Sequence, residues 1–368
     1  MADPRDDLAI AASPWMRDVK PADRTALLEQ RALRFKALQK HSRASDMLFT
    51  LLGMQQMTSE VLARYKAQRL PSGLKSIADL CCGLGGDSLH VPQEISVTGV
   101  DISLETLRAY RNNTALFRTA YAVQADVTRF QAHVDGIFLD PARRSLSSLG
   151  GKRDFDTEPE PGWESIQELI RRFHNAAIKL GPGTRLPDSL AEEEMEYLGL
   201  NDECLELTVR TGSFGRAGWV RAVELPEGIV IESPACDLPD SFGRVEAPGA
   251  YFYEPVKCVI RAHLFGVIAR REGLWQLDAR LAYLSGEKKV ESPLLKRYRV
   301  LRILPCDEAQ LRREIALAEV GILEIKKRGL DIVPEEWRKK LKPKGPNSAT
   351  LVFTRLQGKA ATLWVEPD

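Results

Sequence analysis

Four aspartates, each closing an apolar run, mark where this chain can do chemistry: Asp79 in SIAD, Asp101 in ISVTGVD, Asp126 in TAYAVQAD and Asp140 in VDGIFLD. The first is followed by a glycine-rich turn, LCCGLGGD, that ends on Asp87. An apolar run that ends in an acid and then turns on glycines is how a buried parallel strand delivers its main chain to a ligand. Gly83, Gly85 and Gly86 remove side chains where a cofactor would approach the backbone, and they tolerate positive φ at low cost. A carboxylate at Asp101 can accept hydrogen bonds from both hydroxyls of a ribose, and that pairing calls for an adenosine. Asp126 could accept from the adenine amino group. Asp87 at the end of the turn, and Ile102 and Val127, which follow these two acids, are counted with them as cofactor-binding positions.

Details separate the adenosine cofactors. A dinucleotide fingerprint would read G-x-G-x-x-G, whereas the sixth position counted from Gly83 is Ser88. A carboxylate ahead of the glycines would repel a pyrophosphate, yet Asp79 suits the ammonium group of a methionine moiety. The order Asp79, Cys81, Gly83, Gly85 resembles the D-x-G-x-G-x-G motif of class I S-adenosylmethionine methyltransferases, with the small Cys81 in place of the first glycine. In that family the fourth strand end faces the transferable methyl, so the resemblance implies catalytic positions at Asp140, Pro141 and Arg143. Members that act on exocyclic amines carry D/N/S-P-P-aromatic there, of which DPAR keeps the acid and the first proline. DPAR is also similar to the D-P-P-R of RNA 5-methyluridine methyltransferases, which need in addition a nucleophilic cysteine that no motif here supplies.

Over most of its length the chain resembles bacterial class I methyltransferases carrying a C-terminal THUMP-like domain. The matching pieces are DLCCGLGGD, VTGVD, FLDPARR, KLGPG, YEPVKCVIRA, SPLLKRYRVL and LEIKKRGLDI, with SATLVFTRLQGKAATLWVEP near the end. DLCCGLGGD is also similar to the D-x-x-C-G-x-G-G-N of trimethylguanosine synthase. The resemblance implies S-adenosyl-L-methionine as cofactor and methyl transfer to RNA. Tyr253, Glu254 and Pro255 read as a helix start rather than a site.

The elements that would position these residues follow in order. Ala22 to Lys40 and Ala44 to Leu70 read as amphipathic helices, with Leu27, Leu28, Ala32, Phe35 and Leu38 at helical spacing. A Rossmann-like sheet runs from about Ser76 to Ser233. After Gly86 the chain would open a helix that Pro92 ends early. The last three strands are AAIKLGP, CLELTVRT and WVRAVEL, with an acidic insertion before the sixth and a reversed seventh reached through RTGSFGRAG. A helical linker follows, and then a tail of strand, helix, strand, helix, strand and strand. The fold class is α/β: an N-terminal helical region over 1–72, a class I methyltransferase sheet over 73–249, a linker over 250–292 and a small THUMP-like domain over 293–368.

At 368 residues, with 44% hydrophobic and 28% charged residues, the composition is that of a soluble multidomain chain. No apolar run is long enough to span a membrane, and the acidic start MADPRDDLAI lacks a signal-peptide core, so a cytoplasmic protein is expected. Six cysteines and five histidines show no metal spacing, and no metal is expected. The net charge of +1 conceals basic stretches at both ends. One runs from Arg24 to Arg43, and the other from Lys326 through Arg338 to Lys344. Such ends could grip a polyanion. Arg144 could bind phosphate or stack on a base. Lys179 could reach into the cleft or snorkel at the sheet's end. Lys326, Lys327 and Arg328 could contact RNA or form a solvated face.

The expected function is methylation of a base nitrogen in RNA, with the tail assisting substrate binding. Two alternatives stay open: a cofactor-binding module for RNA or protein without transferase activity, and a methyltransferase acting on protein or a small molecule. The oligomeric state is not legible, nor is the order of the 145–162 loop.

Overall fold

A computed structural model describes residues 19–143, 158–238 and 244–368. The chain divides into two compact units. The first extends up to Leu198 and takes in Glu206–Gly218; the second combines Gly199–Leu205 with Trp219–Asp368.

The first unit is built on seven strands: β1 (Ser76–Leu80), β2 (Ser96–Asp101), β3 (Tyr121–Gln124), β4 (Gly136–Leu139), β5 (Ala176–Leu180), β6 (Glu194–Leu200) and β7 (Glu203–Arg210). Their order is β6-β7-β5-β4-β1-β2-β3. β1 runs parallel to β2 and β4, β2 to β3 and β4 to β5, while β7 is antiparallel to β5. This 6-7-5-4-1-2-3 order with a reversed seventh strand is the class I methyltransferase sheet. Parallel strands buried on both faces read as near-continuous apolar runs, and the core follows that rule. Ala78, Leu80, Ile137, Leu139 and Ile178 pack on one side under α5 (Trp163–Phe173), while Ile77, Val97, Phe138 and Phe214 fill the other.

The sixth and seventh strands differ from expectation. The stretch read as an acidic insertion is itself β6, and CLELTVRT is the reversed seventh strand. Asn201 and Asp202 make the connection, both left-handed with φ of 52° and 60°, the conformation that a two-residue hairpin turn requires. The charges in β6 are tolerated because Glu196 is paired with Arg210 at 2.8 Å and Glu194 with Arg69.

Helix α1 (Pro21–Ala37) forms as expected, but the predicted helix over 44–70 is broken into α2 (Leu51–Gln56) and α3 (Glu60–Gln68). Thr50 caps α2 by accepting from Gly53 N at 3.0 Å. The helix expected after Gly86 is absent: residues 87–95 form turns, and the next helix is α4 (Leu104–Ala115), capped by Ser103. α4 lies close on β2, since a Cβ on Gly99 would collide with the Tyr110 ring.

In the second unit, β8 (Trp219–Leu225) and β9 (Ile229–Pro234) form a hairpin. A seven-stranded sheet contains β10 (Tyr251–Pro255), β11 (Leu295–Pro305), β12 (Val320–Lys327), β13 (Asn347–Leu356) and β14 (Lys359–Pro367), in the order β10-β11-β14-β13-β12, with two short strands beyond β10. The expected helical linker therefore begins as a strand: Tyr251–Pro255 pairs with β11, and helix α6 (Lys257–Arg261) starts only afterwards. α7 (Phe265–Glu272) follows, and α8 (Glu308–Leu317) and α9 (Pro334–Leu341) cover the sheet through Leu311, Ile315 and Leu341.

Candidate active site

The carboxyl ends of β1, β2 and β4 bring together most of the residues singled out above. Three glycines that looked alike in sequence have three different tasks. Gly83 has φ of +53°, and a Cβ there would meet nothing within 4 Å, so it faces open space. Gly85 has φ of +90°, and a Cβ there would stand 3.1 Å from the Tyr110 ring, so it serves packing on α4. A Cβ on Gly86 would stand 2.9 Å from Thr58 N and 3.0 Å from Met57 Cγ, so this glycine admits the α2–α3 connection rather than a ligand. Cys81 adopts φ of 59°, the left-handed conformation of the glycine it replaces. Burial, followed by the charges of Asp101 and Asp140, pushes its thiol up to about 12.

Asp101, half-buried at the end of β2, accepts from Gly83 N at 3.2 Å and from Ser103 N at 2.9 Å. Each oxygen therefore has one fixed partner and one free lone pair. Ile102 beside it is 73% exposed. Asp126 uses Oδ1 to accept from Thr128 N and Thr128 Oγ1, bonds that lower its pKa. Val127 is buried in the core under α5, which leaves only its main chain for a ligand.

Two acids are placed otherwise than the sequence suggested. Asp79 is 2% exposed and accepts from Ser88 Oγ at 2.5 Å, and that hydroxyl stands 3.1 Å from Tyr110 OH. Burial, with the Asp87 charge next, raises its pKa to about 8. Asp79 thus braces the turn from within through Ser88. Asp87 forms a 2.6 Å ion pair with Lys66 of α3 and accepts from Thr58 Oγ1 at 3.1 Å. Lys66 reaches Glu206 of β7 at 2.9 Å. Burial opposes the charge on Asp87, but Lys66 outweighs it and lowers the pKa. Asp87 therefore fastens the glycine turn to α3.

At the end of β4, Asp140 accepts from Lys179 Nζ at 2.6 Å, with side chains 34% and 19% exposed. Lys179 Nζ also donates to Gln56 O at 3.2 Å, and Lys40 Nζ donates to Met54 O and Gln55 O at 3.2 and 3.0 Å. Burial holds the Asp140 pKa above its ordinary value against the pull of Lys179. Burial also works against the charge on Lys179, but Asp140 and Asp87 override it and raise its pKa. Pro141 is buried, and Ala142–Arg143 pairs with Pro159–Glu160 as a short ribbon. Arg143 is described through its main chain alone, and Arg144 and most of the 145–162 loop lie outside the described residues.

Sequence reasoning missed Thr58, Lys66, Lys40 and Gln56, all in the N-terminal segment. The only local trace was polar residues on the inner side of a helix: Tyr65, Lys66 and Arg69 turn toward Glu196, Glu206 and Glu194.

Within the second unit the basic run of β12 is engaged. Lys326 pairs with Glu254 at 2.8 Å, Lys327 donates to Ile332 O and Arg328 lies over Tyr283 at 5.0 Å. The YEP and LEIKK motifs thus meet each other through the Lys326–Glu254 pair. Among the described residues, no helix is long and apolar enough to cross a membrane, and no three His, Cys, Asp or Glu side chains are grouped to hold a metal ion.

The chain is similar to known proteins in sequence and in fold. A family model described as THUMP domain-like matches residues 295–367. Uncharacterized S-adenosylmethionine-dependent methyltransferases of Mycobacterium tuberculosis, from strains CDC 1551 and H37Rv, are 31% identical over 361 residues, covering 94% of this chain and 93% of theirs. A solved structure described as a methyltransferase from Porphyromonas gingivalis W83 aligns with a TM-score of 0.80 at 22% identity, over 100% of this chain and 99% of that one, which shows a shared fold.

Proposed function

The chain belongs to the family of S-adenosylmethionine-dependent methyltransferases, and on that premise we propose that its acceptor is a nitrogen of a nucleobase in RNA. The residues present fit the cofactor. Gly83 opens on empty space beside a carboxylate with free lone pairs, and an exposed apolar side chain follows it. When bound, S-adenosylmethionine supplies an electrophilic methyl group. Cys81 and Gly83 would line its approach, Asp101 would hold the ribose, Ile102 would pack on the base, and Asp126 Oδ2 would accept from the adenine amino group.

The observation that carries the acceptor assignment is Asp140. One oxygen is held by Lys179, and the other, Oδ1, carries no hydrogen bond to a described residue. Oδ1 would accept an N–H of an exocyclic amine, fix its orientation for in-line attack and take up the proton the nitrogen gives up. Carbon methylation through a thiolate is disfavoured, because the nearest cysteine, Cys81, is pushed up to about 12. The THUMP-like match at 295–367 supports RNA over other acceptors. With Lys326, Lys327 and Arg328 engaged within the unit and Lys340 near Glu308 at 3.8 Å, the exposed Lys339, Lys342 and Lys344 on and after α9 are the tail residues we assign to phosphate contact.

The test is incubation with cofactor carrying a labelled methyl group, offered separately to RNA, protein and metabolite pools. Label entering RNA with the wild-type protein and lost with Asp140→Ala, while calorimetry finds cofactor binding intact, supports the assignment. Label entering protein or metabolites instead overturns it.

A further inference from the structure

Lys179 and Asp140 stand on neighbouring parallel strands, β5 and β4, and meet at 2.6 Å. An ion pair on a solvated face would be weak and loosely held. This one is anchored a second time by the Gln56 carbonyl at 3.2 Å, at the C-terminal end of α2. The two carbonyls before it, Met54 and Gln55, are held by Lys40. The ammonium of Lys179 therefore has little freedom, and it takes Oδ2 of the carboxylate while Oδ1 makes no hydrogen bond to a described residue.

We propose that Lys179 is a positioning and specificity residue: it presents a single oxygen of Asp140 to the acceptor and cancels the carboxylate's charge, so that the site takes a neutral amine in preference to a cationic one. The inference rests on Asp140 facing the acceptor, as assigned above. A bare carboxylate attracts an ammonium group such as a lysine side chain. A carboxylate already neutralised at 2.6 Å offers a hydrogen-bond acceptor without that attraction. Lys40 adds a second positive charge nearby, since after burial the Lys179 charge is what lowers its pKa. Other charges near Asp140 are Asp87 and Lys66, which are already paired with each other, and the buried Asp79, whose pKa Asp140 helps to raise. An amine on a nucleobase is uncharged and needs only the open oxygen. The class of acceptor this selects is a neutral aromatic amine.

The experiment compares wild type with Lys179→Met, Lys179→Arg, Asp140→Asn and the Lys179→Met/Asp140→Asn double variant, on whichever pool accepts labelled methyl. Lys179→Met is expected to lower kcat by up to about 100-fold, the cost of a misplaced reacting group. Cofactor affinity should stay unchanged, and Lys179→Arg should restore part of the loss. In the Asp140→Asn background the same change should add less than about twofold, because the lysine acts through the acid. Independently of turnover, a carbon-13 NMR titration of the Asp140 carboxyl should move upward in Lys179→Met. An unmoved titration, or full additivity of the two substitutions, overturns the positioning role. Label on protein lysines with the wild-type protein overturns the selectivity. If no pool accepts label, the transferase assignment of Asp140 fails, and the NMR titration still decides whether Lys179 governs that carboxyl.

Discussion

At the scale of single residues, two acids that looked equivalent in sequence have opposite fates. Asp101 lies at an opening, with both oxygens steered by main-chain N–H groups of the turn and of α4. Asp101→Ala should weaken cofactor binding by roughly 1–3 kcal/mol, the scale of losing charged hydrogen bonds, with calorimetry as the check. Asp79 is enclosed, and its pKa is raised from 3.8 to about 8, by burial first. Between those two values the unfolded chain releases a proton that the folded protein keeps. Stability should therefore fall as pH rises from about 4 to about 8 and level off above. Asp79→Asn removes the ionisation while keeping the shape, so its melting temperature relative to wild type should climb across that window. A constant difference from pH 5 to 9 would refute the assignment.

At the scale of elements, what was legible and what was not divides along a physical line. β1, β2 and β4 announced themselves because each is an apolar run stopped by an aspartate and a turn, a signal contained within a dozen residues. The tail was equally legible, since its strand and helix periods alternate cleanly. β6 was not: Glu194 and Glu196 look like solvated charges until Arg69 and Arg210, distant in sequence, arrive to pair with them. For the same reason the role of α3 was hidden. A lysine on an amphipathic helix is normally solvated, and only the fold reveals that Lys66 is 4% exposed between Asp87 and Glu206. Replacing Lys66 with methionine would leave two buried carboxylates without a counter-charge. It should cost about 3–5 kcal/mol in denaturant unfolding. Because Asp87 ends the glycine turn, cofactor affinity should fall in the same variant even under conditions where it stays folded.

At the scale of the whole molecule, a net charge of +1 conceals the distribution that matters. Ion pairing inside the second unit removes Lys326 from the pool of available cations, leaving the lysines of α9 and beyond. If the proposed RNA binding uses these residues, alanine at Lys339, Lys342 and Lys344 together should flatten its dependence on salt, by about 0.7 in logarithmic slope for each phosphate of a single strand that is no longer neutralised. The same measurement on Lys326→Ala should show an unchanged slope and a lower melting temperature, since that lysine holds Glu254.

The boundary between the two units is crossed by the backbone three times, near residues 198, 205 and 218. Neither unit is a continuous stretch, and the tip of the β6–β7 hairpin counts with the residues from Trp219 onward. The tip bonds Glu224, Lys257 and Lys296, the last of which follows Asp202 by 94 positions, so on a ribosome adding roughly 5–20 residues per second it waits on the order of five to twenty seconds for that partner to be synthesised. During that interval Gly199–Leu205 is a nascent segment without its neighbours. A chain that stopped before Lys296 would leave Asp202 without its ion-pair partner, so this short hairpin reaches its final state only once the strand that carries Lys296 has been made.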